Sequence, residues 1–235
     1  MLDLLPLALI MGVDLSETQL DQFEVYYQEL IRWNERVNLT GITDPDEVLT
    51  KHFLDSLSCL QAVPKLPKTV VDVGSGAGFP GIVLKLSQPH IELTLIEATG
   101  KKVEFLKHLV QVLDLSAVRV LHNRAEEAGR LPNHRAHYQL AVARAVAQLP
   151  ILAEYMLPLL KVDGLMLAQK GVDPAAEVKA AKGALGVLGG RHLKTMSVEI
   201  PELDAARHLV LIKKIKPTPK PYPRQPGLPA KKPLS

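Results

Sequence analysis

A glycine-rich segment that follows a short apolar run is the strongest candidate for chemistry in this sequence. Gly74, Gly76, Gly78 and Gly81 separate residues 69–73 from another apolar stretch. A glycine loop between a strand and a helix lets backbone N–H groups approach a ligand closely, and the last three glycines fit the G-x-G-x-x-G pattern. The segment therefore predicts a ligand-binding loop, although a turn that only needs flexible glycines would have a similar composition.

Two carboxylates flank this loop in sequence. Asp72 lies in the last turn of the preceding strand, where a dinucleotide-binding fold normally has an apolar residue. Glu97 ends the next apolar run, and the carboxyl ends of parallel strands meet at the ligand-binding edge of a sheet. A carboxylate at that edge can accept both hydroxyls of a ribose, so we expect an adenosine-containing ligand. Nicotinamide dinucleotides and S-adenosylmethionine both fit, and the alternative is a solvated strand end.

Basic residues lie near the same predicted edge and in the C-terminal tail. Lys101 and Lys102 open a helix, where positive charge opposes the helix dipole, and Lys170 ends a later strand. Residues 213–235 contain seven basic residues, seven prolines and no acid. This composition predicts an extended, polyproline-like tail that contacts nucleic-acid phosphates. Solvated lysines and a solubilising terminus are the alternatives.

The elements that must position these residues follow from periodicity. Short apolar runs at 69–73, 91–97, 118–122, 140–143 and 165–169 alternate with amphipathic segments at about 80–88, 101–113, 124–129, 148–160 and 174–188. This alternation predicts a mainly parallel α/β sheet with helices on both faces. Residues 192–200 and 207–215 are separated by a short loop and should form an antiparallel hairpin.

A helical region precedes the sheet. Ser16 and Gln19 form a capping box at the start of a helix over 16–36, and a second helix should run from Asp44 to about Gln61. We therefore expect a helical cap at 1–66, a sheet domain at 67–216 and a basic tail at 217–235. His52 and Asp55 lie one helical turn apart and are expected to have a structural role.

The overall composition narrows the class of protein. The chain has 235 residues, of which 47% are hydrophobic and 23% charged, and this is typical of a globular protein. The single cysteine, Cys59, excludes an internal disulfide and a cysteine-based metal site. The apolar run at 4–13 is too short to span a bilayer and lacks a basic leader, so a cytoplasmic location is expected.

The sequence Asp72-Val-Gly-Ser-Gly-Ala-Gly-Phe-Pro-Gly81 resembles the first motif of a known family. This family is the bacterial ribosomal RNA small subunit methyltransferase G family, also called glucose-inhibited division protein B, whose members methylate guanine N7. The similarity continues in order and spacing from about residue 16 to the end, at 38–42, 52–57, 101–106, 124–127, 144–145, 170–171, 222–227 and 231–234.

The resemblance implies a Rossmann-like class I methyltransferase fold, S-adenosylmethionine as cofactor, and 16S rRNA or the small ribosomal subunit as partner. The protein would act as a monomer, with no metal and no membrane partner. The family's donor contacts fall on Gly74, Phe79, Ala125, Glu126 and Arg144. Together with the loop and strand residues, the expected cofactor-binding set is Gly74, Gly76, Gly78, Phe79, Glu97, Ala125, Glu126 and Arg144.

No catalytic side chain is assured, and Arg144 and Lys170 are expected to position the substrates. The expected RNA-binding residues are Lys101, Lys102, Lys220, Arg224, Lys231 and Lys232. The chain departs from the family at Gln139, where an acid is common, so the role of Gln139 stays open. Two alternatives remain: a nicotinamide-dependent oxidoreductase with the same loop, and a non-catalytic RNA-binding module on the same fold.

Overall fold

A computed structural model describes residues 3–171 and 173–234. An N-terminal group of helices precedes the sheet. It consists of α1 (Leu4–Ile10), α2 (Glu17–Asn34), α3 (Pro45–Val48), a π-helical segment (Leu49–Leu54), α4 (Asp55–Leu57) and α5 (Cys59–Ala62). The predicted capping box is confirmed, since Gln19 N–H donates to Ser16 Oγ while Ser16 N–H donates to Gln19 Oε1. The predicted second helix is present, but it is divided into these short segments.

Among the described residues, seven strands and the helices between them form the rest of the fold. Strands are β1 (Thr69–Val73), β2 (Glu92–Glu97), β3 (Val118–His122), β4 (Tyr138–Arg144), β5 (Leu160–Lys170), β6 (Gly190–Val198) and β7 (Arg207–Lys214). Helices are α6 (Gly81–Ser87), α7 (Gly100–Val112), α8 (Ala125–Ala128), α9 (Leu149–Met156), a 3-10 turn (Leu157–Leu159), α10 (Ala175–Ala180), α11 (Lys182–Leu188) and α12 (Leu228–Lys231).

The strand order is β3-β2-β1-β4-β5-β7-β6. The first five strands in this order are parallel, and β7 pairs antiparallel with both β5 and β6. The predicted mainly parallel sheet with an antiparallel C-terminal hairpin is confirmed. Parallel strands place their carboxyl ends at one edge, so the loops after β1, β2, β3, β4 and β5 meet there.

The two faces of the sheet have separate cores. The helical cap packs on one face, where Phe23, Tyr26 and Phe53 share a hydrophobic cluster with sheet residues such as Val70 and Leu140. Helices α9 and α11 cover the other face. The boundary expected near residue 66 stays a prediction, because the cap and the sheet share this core. Tyr26 also donates a hydrogen bond to Ala77 O at 2.6 Å, so α2 directly anchors the glycine loop.

The C-terminal segment, residues 217–234, differs from the extended tail that the sequence predicts. It folds back across α8 and α9 and contains α12. Tyr222 and Leu234 pack against the second core, and the Arg135 guanidinium donates to the carbonyl oxygens of Thr218, Pro219 and Tyr222. Proline spacing correctly excludes a long helix or central strand there, but it contains no information on what the segment packs against.

Candidate functional site

The glycine loop is held by strand β2 and by the helical cap. Gly74 N–H and Ser75 N–H both donate to Ile96 O, at 2.9 and 3.1 Å. Gly74 has a φ of +73°, and a Cβ atom there would lie 2.7 Å from Val146 Cγ2. Glycine is therefore required at Gly74 both by the backbone conformation and by the close approach of the chain after β4. Gly78 is constrained by Tyr26 in the cap, since a Cβ at Gly78 would lie 2.6 Å from Tyr26 Oη.

Glu97 connects the loop to the end of β2. The side chain is 7% exposed, Oε2 accepts from Gly76 N–H at 2.9 Å, and Oε1 accepts from Thr99 N–H at 2.7 Å. Each carboxylate oxygen has two lone pairs, so both oxygens can accept one more hydrogen bond. Glu97 is thus fixed in position by the backbone and still able to accept from ligand hydroxyls.

A cavity of about 240 Å³ opens at this point, and we call it the glycine-loop cavity. It is lined by Val73, Gly74, Ile96, Glu97, Ala98, Asn123, Arg124, Ala125, Glu126, Val146 and Tyr155. Four predicted residues therefore come together here: Gly74, Glu97, Ala125 and Glu126. A close-approaching backbone and two acceptor carboxylates fit the adenosine part of S-adenosylmethionine, because adenosine offers ribose hydroxyls and an exocyclic amine as donors.

Glu126 is the less accessible of the two carboxylates. It lies in the first turn of α8, where the positive end of the helix favours an acid, and it is buried. Its Oε1 accepts from Gly227 N–H at 2.9 Å, a contact across 101 residues of sequence. Its position is thus typical of an acid at a helix start, and the contact with Gly227 ties it to the C-terminal segment.

Four residues of the expected cofactor-binding set lie outside the lining of this cavity, namely Gly76, Gly78, Phe79 and Arg144. Gly78 faces α2, and the Phe79 ring is buried between His52 and Tyr26, with centroid distances of 4.4 and 5.2 Å. The Arg144 guanidinium lies 5.0 Å above the Phe79 ring. The donor contacts expected at Phe79 and Arg144 stay predictions.

Arg144 instead lines a second cavity of about 410 Å³, which we call the basic cavity. Its lining consists of Ile42, Lys51, His52, Asp55, Arg144, Ala145, Gln169, Lys170, Gly171 and Arg207. Asp55 lies at its base and is buried, with Oδ2 2.7 Å from Arg144 Nη1 and Oδ1 3.1 Å from Arg207 Nε. The lining thus contains four cations and one carboxylate, with two of the cations, Lys51 and Lys170, paired with Glu47 and Glu177 outside it. An excess of cations in the lining suits a polyanionic ligand such as RNA.

Lys170 and His52 complete the basic cavity. Lys170 Nζ donates to Glu177 Oε2 at 2.7 Å and to Ala147 O at 2.9 Å, which places the lysine at the end of β5 as predicted. His52 Nδ1 accepts from Arg144 Nη2 at 3.1 Å, and its Nε2–H donates to Thr40 Oγ1 at 2.8 Å. Burial and the nearby Arg144 lower the pKa of His52 to about 4, so this imidazole is neutral at physiological pH.

The two cavities are separated by three consecutive residues at the end of β4. Arg144 and Ala145 line the basic cavity, and Val146 lines the glycine-loop cavity. Ala145 has a φ of +56°, a conformation that is strained for a residue with a Cβ atom. The turn after β4 therefore directs successive side chains to opposite sides and forms part of the wall of both cavities.

Asp72 lies beneath the loop and is fully buried. Its Oδ2 accepts from Gly81 N–H at 3.0 Å, while its Oδ1 has no hydrogen-bond partner among the described residues. Burial raises the pKa of Asp72 to about 7, partly opposed by the Gly81 hydrogen bond. A carboxylate with this pKa beside a ligand loop is a marker of a functional site.

The remaining expected residues divide into two groups. Lys101 and Lys102 lie in the first turn of α7, and Lys220, Lys231 and Lys232 are exposed. The expectation that Arg224 binds RNA is wrong. Its guanidinium and backbone N–H bind the buried Glu154 carboxylate, so it does not project as a phosphate contact. The sequence could not indicate this pairing, because the two residues are 70 positions apart.

Two residues that sequence reasoning left without a role have clear partners. Gln139 Oε1 accepts from Thr69 N–H and Thr69 Oγ1 at 3.2 Å, at the amino end of β4 and far from both cavities. Arg207 enters the basic cavity through Asp55, 152 residues away. Cys59 is buried and its burial raises the pKa of the thiol well above its usual value, which indicates an unreactive thiol.

Within residues 3–171 and 173–234, no three His, Cys, Asp or Glu side chains are grouped closely enough to hold a metal ion. The expectation of a metal-free site stays a prediction. In the same part of the chain, no helix is long and apolar enough to cross a bilayer.

Comparison with known proteins supports one family. Residues 19–210 match the family model described as "GidB: rRNA small subunit methyltransferase G". A protein of Chloroflexus aggregans named ribosomal RNA small subunit methyltransferase G is 49% identical over 223 residues, which is 95% of this chain and 93% of that protein. One of the same name from Roseiflexus castenholzii is 48% identical and covers 99% of both chains.

Solved structures support the fold independently. A SAM-dependent methyltransferase from Aquifex aeolicus superposes with a TM-score of 0.53 at 18% identity, covering 73% of this chain and 94% of that one. At this identity the similarity concerns the fold alone. It agrees with the class I methyltransferase architecture expected from the sequence.

Proposed function

Because the chain belongs to the rRNA small subunit methyltransferase G family, we propose that it transfers a methyl group from S-adenosylmethionine to N7 of a guanine in the decoding-region loop of 16S rRNA. The main structural support for this proposal is the pair of unlike cavities on either side of the turn after β4. One has the acceptors and close backbone that an adenosine requires, and the other has the cations that RNA requires.

The glycine-loop cavity binds the donor. When bound, S-adenosylmethionine supplies a methyl group on a positively charged sulfur, which is already a strong electrophile. Glu97 accepts hydrogen bonds from the ribose hydroxyls, and Glu126 accepts from the adenine edge. Both carboxylates are held by backbone N–H groups before the ligand arrives, so little side-chain ordering remains to be lost on binding.

The basic cavity binds the target nucleotide. Arg144, Lys170 and Arg207 attract the phosphate, and their N–H groups can donate to the guanine carbonyl oxygen. A flipped or looped-out base can enter such a cavity, whereas a stacked one cannot. The chain's contribution to rate is then to hold N7 in line with the methyl group and to exclude water.

No side chain needs to remove a proton. Guanine N7 has an in-plane lone pair and carries no proton, so a general base has no role in the step. The groups in the basic cavity agree with this: Asp55 is neutralised by two guanidiniums, and His52 uses both ring nitrogens in hydrogen bonds. Arg144 and Lys170 act as positioning residues.

A single-turnover assay tests the proposal. With donor and 16S rRNA or small subunit at saturation and the methyl group labelled, the label should be recovered on guanine N7, and the rate should be nearly flat between about pH 6 and 9. Label on a cytosine, an adenine amine or a ribose oxygen would contradict the proposed target. A steep pH dependence that one carboxylate or histidine substitution abolishes, without weakening either ligand, would contradict the mechanism.

The two alternatives make different predictions for ligand binding. A ligand that binds only the native state raises the melting temperature. S-adenosylmethionine and S-adenosylhomocysteine should raise it and NAD should not. Stabilisation by NAD alone would favour the oxidoreductase, and stabilisation by none of the three would favour a non-catalytic RNA-binding module. Action as a metal-free monomer in the cytoplasm, where ribosomal subunits are assembled, is part of the same proposal.

A further inference from the structure

The C-terminal segment lies against the outside of the glycine-loop cavity. It packs on α8, which carries Ala125 and Glu126, and on α9, which carries Tyr155, and all three residues line that cavity. We propose that this segment is a structural wall of the donor site, and that Gly227 and Arg224 act as positioning residues for donor binding. The inference rests on the proposed function, because it assumes that the donor occupies this cavity.

The first contact is between Arg224 and α9. Glu154 is completely buried, and both its oxygens accept from Arg224, through the backbone N–H at 2.7 Å, Nε at 2.9 and 3.1 Å, and Nη2 at 2.6 Å. A carboxylate buried in this way is stable only while its cation stays in place. Tyr155, the next residue on α9, faces the donor cavity, so the ion pair fixes the helix that presents the tyrosine ring.

The second contact is between the segment and α8. Gly227 N–H donates to Glu126 Oε1 at 2.9 Å, and Arg130 Nε donates to Pro223 O at 2.9 Å. Pro223 also packs closely on Gly129, where a Cβ atom would lie 2.9 Å from the proline ring. Helix α8 has only four residues and therefore little stability of its own. Its orientation depends on these external contacts.

The geometry divides the segment's residues into two roles. Arg224 and Gly227 face the domain and hold the donor cavity, while Lys220, Lys231 and Lys232 remain exposed. Loss of the segment should then affect the donor as well as RNA. Coupling between two sites is reciprocal, so donor binding should in turn stabilise the segment.

Deletion of residues 226–235 is the direct test, because it removes Gly227 and α12 but keeps Arg224 on Glu154. Calorimetric titration with S-adenosylhomocysteine should show about tenfold weaker binding than the intact protein, since a hydrogen bond to a charged acceptor is lost. The matched control is Lys231→Gln with Lys232→Gln, which removes the charges, keeps the backbone, and should leave donor affinity unchanged.

Hydrogen exchange on the intact protein keeps the inference testable if the deletion variant does not fold. Backbone amides of residues 224–234 should exchange severalfold more slowly when S-adenosylhomocysteine is bound, while amides of β6 serve as the unaffected reference. A folded deletion variant with unchanged donor affinity would overturn the inference. Equal weakening of donor binding in the lysine control would also overturn it, as would exchange rates in residues 224–234 that do not change when S-adenosylhomocysteine binds. Absence of any binding by the intact protein would instead contradict the proposed function.

Discussion

The glycine-loop cavity and the basic cavity differ in how the chain builds them. The first uses backbone N–H groups and two carboxylates at or just after the ends of consecutive strands, so most of its lining comes from the short stretches where β1, β2 and β3 end. The second is built from side-chain charges: Asp55 in the helical cap, Arg144 at the end of β4 and Arg207 on β7. A backbone-built site is rigid and specific, whereas a charge-built site depends on long-range pairing. Substitutions should therefore act differently on the two sides of the β4 turn.

The largest expected effect concerns Asp55. Replacing it with asparagine leaves Arg144 and Arg207 without their shared counter-charge, and removing one partner from a buried ion pair typically costs about 3–5 kcal/mol. Urea unfolding of Asp55→Asn should show a loss of this size. The matched control is Asp163→Asn, in a surface pair with Lys213 where the aspartate is 78% exposed, and it should cost under about 1 kcal/mol. Equal losses in both variants would show that the basic cavity does not depend on charge pairing.

The second prediction concerns pH. Each side of the turn after β4 contains one buried titratable group, and the two groups change stability with pH in opposite directions. Asp72 has a folded-state pKa of about 7 against an ordinary 3.8, so the folded protein binds more protons and stability falls as pH rises from about 4 to 7. His52 has a folded-state pKa of about 4 against 6.5, so its contribution rises with pH over about 4 to 6.5.

Substitution separates these opposing contributions. The stability of Asp72→Asn relative to the wild type should increase by up to about 4 kcal/mol between pH 4 and 7, measured by urea unfolding. His52→Gln should change the profile in the opposite direction, since it removes the contribution that rises with pH. If both variants keep the wild-type profile, neither group titrates as its burial implies.

The smallest effect is expected in the exposed part of the C-terminal segment. Changing Lys220, Lys231 and Lys232 together to glutamine should reduce the salt dependence of binding to single-stranded RNA by a slope of about 2, if all three contact phosphates. Arg224 should add nothing, because it is paired with Glu154. Filter binding over a range of salt concentrations measures this slope. An unchanged slope would show that the lysines do not contact RNA and that the segment only packs on the domain.

The same contrast explains how much the sequence could predict. Strands β1 and β3 match their predicted limits, and the capping box, the loop and the Glu97 position are correct, because all depend on neighbours in sequence. Strand β5 begins five residues earlier than predicted, since exposed residues such as Lys161 and Asp163 interrupt its apolar pattern. The Asp55–Arg207 and Arg224–Glu154 pairs join distant parts of the chain, and no local pattern indicates them.

The most direct test that the two cavities bind different ligands uses one variant from each cavity. The affinities for S-adenosylhomocysteine and for RNA are both measured on each variant. Glu97→Ala should weaken S-adenosylhomocysteine binding about ten- to a hundredfold, as expected for a lost hydrogen bond to a charged group, with RNA affinity unchanged. Lys170→Gln should weaken binding to 16S rRNA severalfold at low salt, with S-adenosylhomocysteine affinity unchanged. The account predicts this separation, and it would be contradicted if Glu97→Ala left donor affinity intact or if both variants weakened the same ligand.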